Sequence, residues 1–176
     1  VLTFLPGHFA HRVGLRLPPS FLVAIALFVI ASLYLGEVRD FYDRFWWWDL
    51  ALHMGSAAGF GILGFLLIFM LFEGDRYAAP PWAIGALSFC LAMTVGTLWE
   101  VFEFAMDAGF GFNMTKSGLP DTMGDLIVNA LGAALSALAG VLYLSDSARG
   151  RLRAPFDDFI ASNRGRFRKL LSRKKR

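Results

Sequence analysis

Four long apolar stretches follow one another along the chain, and each has the length of a membrane-spanning helix. They cover residues 20–36, 50–72, 81–104 and 123–144. About 20 helical residues cross a hydrocarbon core of about 30 Å, and a backbone in lipid must satisfy its own hydrogen bonds. The pattern therefore predicts an all-α fold, a polytopic membrane bundle of four transmembrane helices. The first stretch ends in YLGEVRD without a small-x-small cleavage site, so we expect a retained span and not a signal peptide.

The composition agrees with a membrane protein. Apolar residues make up 56% of the 176 and charged residues 18%, whereas soluble domains average about 25% charged. This balance excludes a disordered chain and a nucleic-acid-binding domain with a basic face, and it argues against a soluble enzyme. Cys90 is the single cysteine, which excludes an intramolecular disulfide framework.

Charge divides the chain into an N-terminal arm at 1–19, a transmembrane domain at 20–145 and a basic tail at 146–176. Eleven Lys and Arg residues lie between 149 and 176. After Pro155, apolar residues fall on one face, which predicts a C-terminal basic amphipathic helix. Such a helix lies on an anionic inner leaflet or docks on a partner protein. The basic residues expected to make this contact are Arg164, Arg166, Arg168, Lys169, Arg173, Lys174, Lys175 and Arg176.

The distribution of Lys and Arg around the spans predicts the orientation. Fourteen lie in the N-terminal arm, the second loop and the tail, against three in the first and third loops. By the positive-inside rule, we expect a multi-pass protein of the bacterial inner membrane with both termini in the cytoplasm. The tryptophans at 46–48 fit an aromatic belt at the opposite, periplasmic interface.

Polar residues gather at the periplasmic ends of three spans, although charged residues inside membranes are rare and mark functional sites. On each helix they repeat every three or four residues and so share one face. Because the three stripes sit at similar depth, we expect an acidic pocket open to the periplasm. Its expected members are His53, Glu100, Glu103, Asp121, Asp125 and Asn129, with Asp49 and Asp107 as further candidates.

Several carboxylates held in a low dielectric either share protons or bind a cation. Carboxylate, imidazole and amide groups are ligands for zinc, manganese or iron, so a divalent metal is the candidate cofactor. A bound metal could activate water for hydrolysis of a lipid or envelope substrate. Without a metal, the same groups suit a proton relay or the binding of an organic cation.

Local roles could also explain some of these residues. The sequence around Asp121 is typical of a helix start, so Asp121 and Asp125 could serve as caps. Asp49 could be an interfacial residue beside the tryptophans, and Asp107 a loop residue. Neither Glu100 nor Glu103 has such a local explanation.

Small residues recur at four-residue intervals on two of the spans. Gly132, Ser136 and Gly140 form one row, and Gly55 and Gly59 form another. Such rows permit two helices to approach closely, so we expect both to lie at helix contacts.

Three short motifs lie at the polar ends of the spans: Asp49-x-x-x-His53, Glu100-x-x-Glu103 and Asp121-Thr122-x-x-Asp125. Together they resemble the bacterial inner-membrane YjdF-like family and, more distantly, VanZ-like proteins. The resemblance covers about residues 40–145. It implies a polytopic membrane protein and supplies no established activity.

Two functions of different kinds follow from these features. One is a membrane-embedded site that binds a metal or shares protons, as in a metal-dependent enzyme acting on a lipid or envelope substrate. The alternative is a non-catalytic accessory subunit of a larger respiratory or photosynthetic membrane complex, whose carboxylates contact other subunits. A proton or small-cation conduit ranks last, because the cytoplasmic halves of the spans are apolar.

Overall fold

The predicted all-α membrane bundle is confirmed. A computed structural model of the chain describes residues 5–12, 14–72, 79–145 and 153–167. All regular structure within these ranges is helical, and four of the helices are long and apolar enough to cross a membrane. The elements are α1 (Leu5–Arg12), α2 (Pro19–Val29, continuing as a π-helical segment Ile30–Val38), α3 (Phe41–Arg44), α4 (Trp48–Leu71), α5 (Pro81–Phe110), α6 (Leu119–Leu144), α7 (Ala154–Ser162) and a 3₁₀ turn (Arg164–Phe167).

The bundle has two chemically different ends. At one end, here called the acidic end, lie Asp49, Glu103 and Asp121 together with the 111–118 loop. At the opposite end, called the basic end, the described parts of the arm and tail pack against the spans. Between the two ends, α4, α5 and α6 pack directly on one another.

The helices extend further at the acidic end than hydropathy predicts. Asp107 lies inside α5, which ends only where Gly111 adopts a left-handed conformation with φ 72°. Helix α6 begins at Leu119 after Gly118, and no side chain caps it. Two simple roles are therefore wrong: Asp107 is not a loop residue, and Asp121 and Asp125 do not cap a helix.

The first span stands apart from the other three. Helix α2 has no buried residue, and in its π-helical continuation only Gly36 is buried. Its far end is held at the acidic end by Trp48, whose indole N–H donates to the Ala31 carbonyl at 3.3 Å, and by a 3.1 Å bond between the Ser32 and Tyr42 hydroxyls. At the basic end, the Phe21 ring lies 5.7 Å from the Phe159 ring. Because the first span is attached near its two ends, an open cleft lies between its middle part and the other spans.

Close approach of α4 and α6 depends on one of the two predicted glycine rows. A Cβ on Gly132 would overlap the Met54 carbonyl of α4, and one on Gly140 would overlap the Phe65 ring. The second row is different, because a Cβ on Gly55 or Gly59 would meet nothing within 4 Å. The expectation that this second row lies at a helix contact is wrong.

The described part of the tail belongs to the protein core. Phe156, Phe159 and Phe167 are fully buried, and the Phe156 ring packs edge-on against Phe65 of α4 with centroids 5.7 Å apart. The apolar face of α7 therefore covers the basic end of the bundle. Arg164 and Arg166 are exposed beside it. The other expected contact residues, Arg168, Lys169, Arg173, Lys174, Lys175 and Arg176, lie outside the described residues, so their contact with an anionic leaflet stays a prediction.

Asn163 ties the N-terminal arm to the tail. Its side-chain oxygen accepts the Arg16 backbone N–H at 2.9 Å, and its amide donates to the Arg16 carbonyl at 2.8 Å. The two segments are 147 positions apart in sequence, so this paired bond closes the chain on itself at the basic end.

We expect the two glycine rows to respond with opposite signs to the same change. Gly132→Ala should lower the free energy of unfolding by about 1–3 kcal/mol, because the new methyl group must push α4 and α6 apart. Gly59→Ala should leave it unchanged or raise it by up to about 1 kcal/mol, since alanine is the better helix former and the space is open. Thermal unfolding in detergent measures both, and equal shifts would contradict the contact.

Truncation of the buried tail ring should also be costly. Phe159→Ala should destabilise the protein by about 3–5 kcal/mol, the usual loss for a buried phenylalanine. The matched control is Phe110→Ala, where the ring is 73% exposed and the change should cost less than about 1 kcal/mol. If the two variants lose the same free energy of unfolding, α7 is not part of the core.

Candidate functional site

His53 is the centre of the acidic end. It lies on the face of α4 that meets α5 and α6, and its side chain is buried. Its Nδ1 is 3.4 Å from Glu100 Oε1 on α5, and its Nε2 is 4.0 Å from Asp125 Oδ1 on α6. On its own helix, Asp49 Oδ1 lies 3.6 Å from Nε2. One imidazole thus faces carboxylates from three helices.

Asn129 fits against this imidazole because α5 has a glycine opposite it. The Asn129 side chain is fully buried, with its Nδ2 3.5 Å from His53 Nδ1. A Cβ on Gly96 would stand 2.7 Å from the same Nδ2. The glycine therefore provides the room in which the amide reaches the histidine.

Glu100 is the polar group with the least compensation. Its side chain is buried at 4% exposure, and neither carboxylate oxygen has a hydrogen-bond partner among the described residues. The Asn129 side-chain oxygen is unpartnered in the same region. A buried polar group without a partner is costly, and a carboxylate far more so than an amide.

Glu103 lies one turn further towards the acidic end and is half-buried. The Trp99 indole N–H donates to its Oε1 at 2.9 Å, and the Trp99 ring packs against Phe102 with centroids 5.3 Å apart. The tryptophan holds this carboxylate in place from the same face of α5.

Asp49 already has a cation. Lys116, from the 111–118 loop, places its Nζ 2.8 Å from Asp49 Oδ2 and 4.4 Å from the centre of the Tyr42 ring. Burial raises the pKa of the Tyr42 phenol above its usual range, so this ring is neutral at ordinary pH. The carboxylate and the aromatic face together enclose the ammonium group.

The two outermost candidates lie apart from this centre. Asp107 accepts hydrogen bonds from the Met114 and Thr115 backbone N–H groups at 2.7 and 2.9 Å, and from the Thr115 hydroxyl at 2.6 Å. Its carboxylate therefore shapes the loop after α5. Asp121 is half-buried one turn before Asp125, outside the groups of ligand atoms described next.

Among the residues that the structure describes, two sets of ligand atoms are close enough to hold a metal ion. Asp49, His53 and Asp125 form one set, and His53, Glu100 and Glu103 form the other. Within each set, one oxygen or nitrogen per residue lies within 4.8 Å of the others. Ligands of one metal stand at most about 4.2 Å apart, twice a bond of about 2.1 Å, so small side-chain rotations would close either set.

A cleft of about 970 Å³ leads to this site from the side of the first span. Phe28 and Leu33 of the first span line it on one side, and Phe60 and Leu98 line it on the other. Asp49, His53 and Glu103 line its inner wall, while the buried Glu100 lies behind them. The polar cluster is therefore open to a ligand that enters between the first span and the bundle.

Lys116 is a member of the candidate site that the sequence analysis missed. It is the single lysine outside the tail, and this isolation beside an acidic cluster was the available signal. Its pairing with Asp49 joins positions 67 apart in sequence, which no local pattern indicates.

Comparison with known proteins agrees with a membrane bundle. A family described as a predicted membrane protein, DUF2238, matches residues 1–146. An uncharacterized protein of Thermotoga maritima is 30% identical over 115 residues, which are 65% of this chain and 57% of that protein. The chain thus spans little more than half the length of this relative. No solved structure matches the chain. By the match over residues 1–146, the chain belongs to the DUF2238 family of predicted membrane proteins.

Proposed function

We propose that the protein holds a divalent metal ion at the acidic end of its bundle. The observation that carries this proposal is the Glu100 carboxylate, which is buried with neither oxygen hydrogen-bonded. A carboxylate in such a place needs a proton or a cation to offset its lost hydration. A metal ion shared with His53 and Glu103 supplies that charge to several groups at once.

The charges favour one of the two ligand sets. Asp49 is already paired with Lys116 at 2.8 Å, whereas neither Glu100 oxygen accepts a hydrogen bond from the described residues and its nearest cationic partner would be His53 at 3.4 Å. We therefore assign the metal to His53, Glu100 and Glu103. Asp49 and Asp125 then face the opposite imidazole nitrogen, as the carboxylates behind metal-bound histidines commonly do.

The ligand chemistry favours zinc, manganese or iron. One imidazole and two carboxylates form a mixed nitrogen and oxygen set, whereas magnesium and calcium sites are built from oxygen ligands. When bound, such a metal supplies an activated water or a polarised oxygen for hydrolysis. We propose a lipid or envelope molecule as substrate, because the cleft that reaches the site is lined by residues of the membrane spans. The motifs around His53, Glu100 and Asp125 also support the proposed resemblance to YjdF-like proteins.

The accessory-subunit alternative calls for carboxylates that face outward to a partner. Glu100 faces the bundle interior and lies 3.4 Å from His53, which favours an internal site. The conduit alternative lacks charged steps towards the basic end, because residues 54–71, 81–99 and 130–144 contain no Asp, Glu, His, Lys or Arg. The described core there is built around Phe65 and Phe69.

Metal content of the purified protein tests the proposal. We expect about one divalent metal per wild-type chain after purification in mild detergent. Glu100→Gln keeps the size of the side chain but removes its charge, so it should weaken retention by more than about 100-fold, beyond the loss typical of an outer-shell change. Inductively coupled plasma mass spectrometry gives the stoichiometry, and Glu37→Gln at the same end is the matched control that should retain the metal.

A second variant locates the metal relative to His53. Asp49→Asn should weaken binding by only about 10- to 100-fold, because this residue stands behind the ligand in our assignment. If Asp49→Asn loses as much metal as Glu100→Gln, the ion lies on the other side of the ring. A metal-free wild type that becomes more stable on Glu100→Gln would instead show that the cluster shares protons.

We also propose that the acidic end faces the periplasm of a bacterial inner membrane, as the distribution of Lys and Arg indicates. In a Cys90→Ser background, Ser117→Cys should react with a membrane-impermeant maleimide on intact spheroplasts. Ala161→Cys, on exposed α7 surface at the basic end, should react only after permeabilisation. The reverse pattern would overturn the orientation.

A further inference from the structure

The cleft beside the first span has an apolar half and an acidic half. Phe28, Leu33 and Phe60 belong to its apolar half, and each is at least one third exposed although it lies in a membrane span. In a bilayer, such side chains face acyl chains. Around the acidic end, the same cleft is lined by Glu37, Asp40, Asp43, Asp49 and Glu103. A ligand that matches both halves is an amphiphile.

The cleft already binds one primary ammonium group, that of Lys116. Its Nζ lies between the Asp49 carboxylate at 2.8 Å and the Tyr42 ring at 4.4 Å. Carboxylate on one side and aromatic face on the other is how proteins recognise alkylammonium ions. Trp99, Phe102 and Phe112 add further aromatic surface to the same wall.

Charge decides between a headgroup that carries an ammonium and one that carries only an anion. Five carboxylates line the cleft, whereas Lys116 is the one Lys or Arg among its lining residues in the described part of the chain. That lysine is itself paired with Asp49. Glu37, Asp40 and Asp43 are exposed around the mouth of the cleft. The surplus of negative charge is complementary to an ammonium and repels a free anion.

We propose that this cleft binds a membrane lipid whose headgroup carries a primary ammonium. The acyl chains lie along the apolar half between the first span and α4, and the ammonium lies among the carboxylates of the mouth. A volume of about 970 Å³ is at the upper end of small-molecule sites, enough for a headgroup and the upper part of its chains. Entry from the side is open because α2 has no buried residue.

This inference deepens the proposed function, since the inner wall of the cleft contains His53 and Glu103. A contact between the bound headgroup and a metal rests on the proposed function. The selection of an ammonium headgroup by the carboxylates at the mouth is independent of the proposed function.

The experiment is a lipid competition on the full chain. The protein is reconstituted in nanodiscs of equimolar phosphatidylethanolamine and phosphatidylglycerol with identical acyl chains, then released into mild detergent. Native mass spectrometry counts the lipids that each protein retains. We expect wild type to retain phosphatidylethanolamine severalfold over phosphatidylglycerol.

Two changes of opposite sign sharpen the test. Glu37→Gln and Asp43→Asn should each reduce the preference by about twofold to fivefold, the range for one exposed ion pair. Lys116→Met should increase it, because the internal ammonium no longer occupies Asp49 and Tyr42. Asp158→Asn removes a carboxylate at the basic end and is the control that should change nothing.

Each result separates this inference from the metal proposal. Equal retention of the two lipids, or a preference for phosphatidylglycerol that Lys116→Met abolishes, would overturn the ammonium site. Metal content is measured on the same samples. Bound metal without lipid preference leaves the proposed function standing alone, and lipid preference without metal leaves the ammonium site standing alone.

Discussion

The arrangement of the acidic end depends on the His53 imidazole, which faces carboxylates from three helices at once. Such contact is possible only where the backbones approach closely, and Gly132 and Gly96 provide that approach by lacking a side chain. The polar atoms of Glu100, Asp125 and Asn129 then gather around His53, away from lipid. Close helix packing and the clustering of polar groups therefore depend on each other. If the helices were further apart at these glycines, the carboxylates would be separated from one another inside a membrane, which solvates them poorly.

The two ends of the bundle contribute in different ways. At the basic end, aromatic rings from the spans and from α7 pack into a continuous apolar core, and Asn163 closes the chain across it. This end is stabilised chiefly by apolar packing, with a few contacts of Arg153, Asp157 and Asp158 at its surface. The acidic end carries a buried carboxylate without a hydrogen bond, a destabilising feature that the rest of the fold must support. Such a division is typical of proteins whose functional groups are held under strain.

Hydropathy predicted the four spans because a bilayer demands long apolar helices, whatever their tertiary contacts. It could not find the helix ends, because Asp107 near the end of α5 and Asp121 near the start of α6 interrupt the apolar runs although both residues are helical. The spacing of the polar residues correctly predicted that His53, Glu100 and Asp125 are neighbours, because each lies on the polar stripe of its own helix. It could not distinguish the two glycine rows, which have the same spacing, although the row on α6 faces α4 and the row on α4 faces open space. Nor could it show that the first span stands apart, because an apolar side chain facing lipid and one facing a core look alike in sequence.

The length of α5 has a consequence for the depth of the acidic cluster in the bilayer. Its 30 residues extend about 45 Å, whereas the hydrocarbon core is about 30 Å thick. If the hydrocarbon begins with the helix at Pro81, the helix leaves it near Glu100, and the carboxylates lie at the depth of the lipid headgroups. Hydrophobic mismatch then becomes a control on the site: a thicker membrane draws these groups towards the hydrocarbon, and a thinner one brings them into water. The protein would in this way respond to bilayer thickness through a change in the hydration of a single cluster.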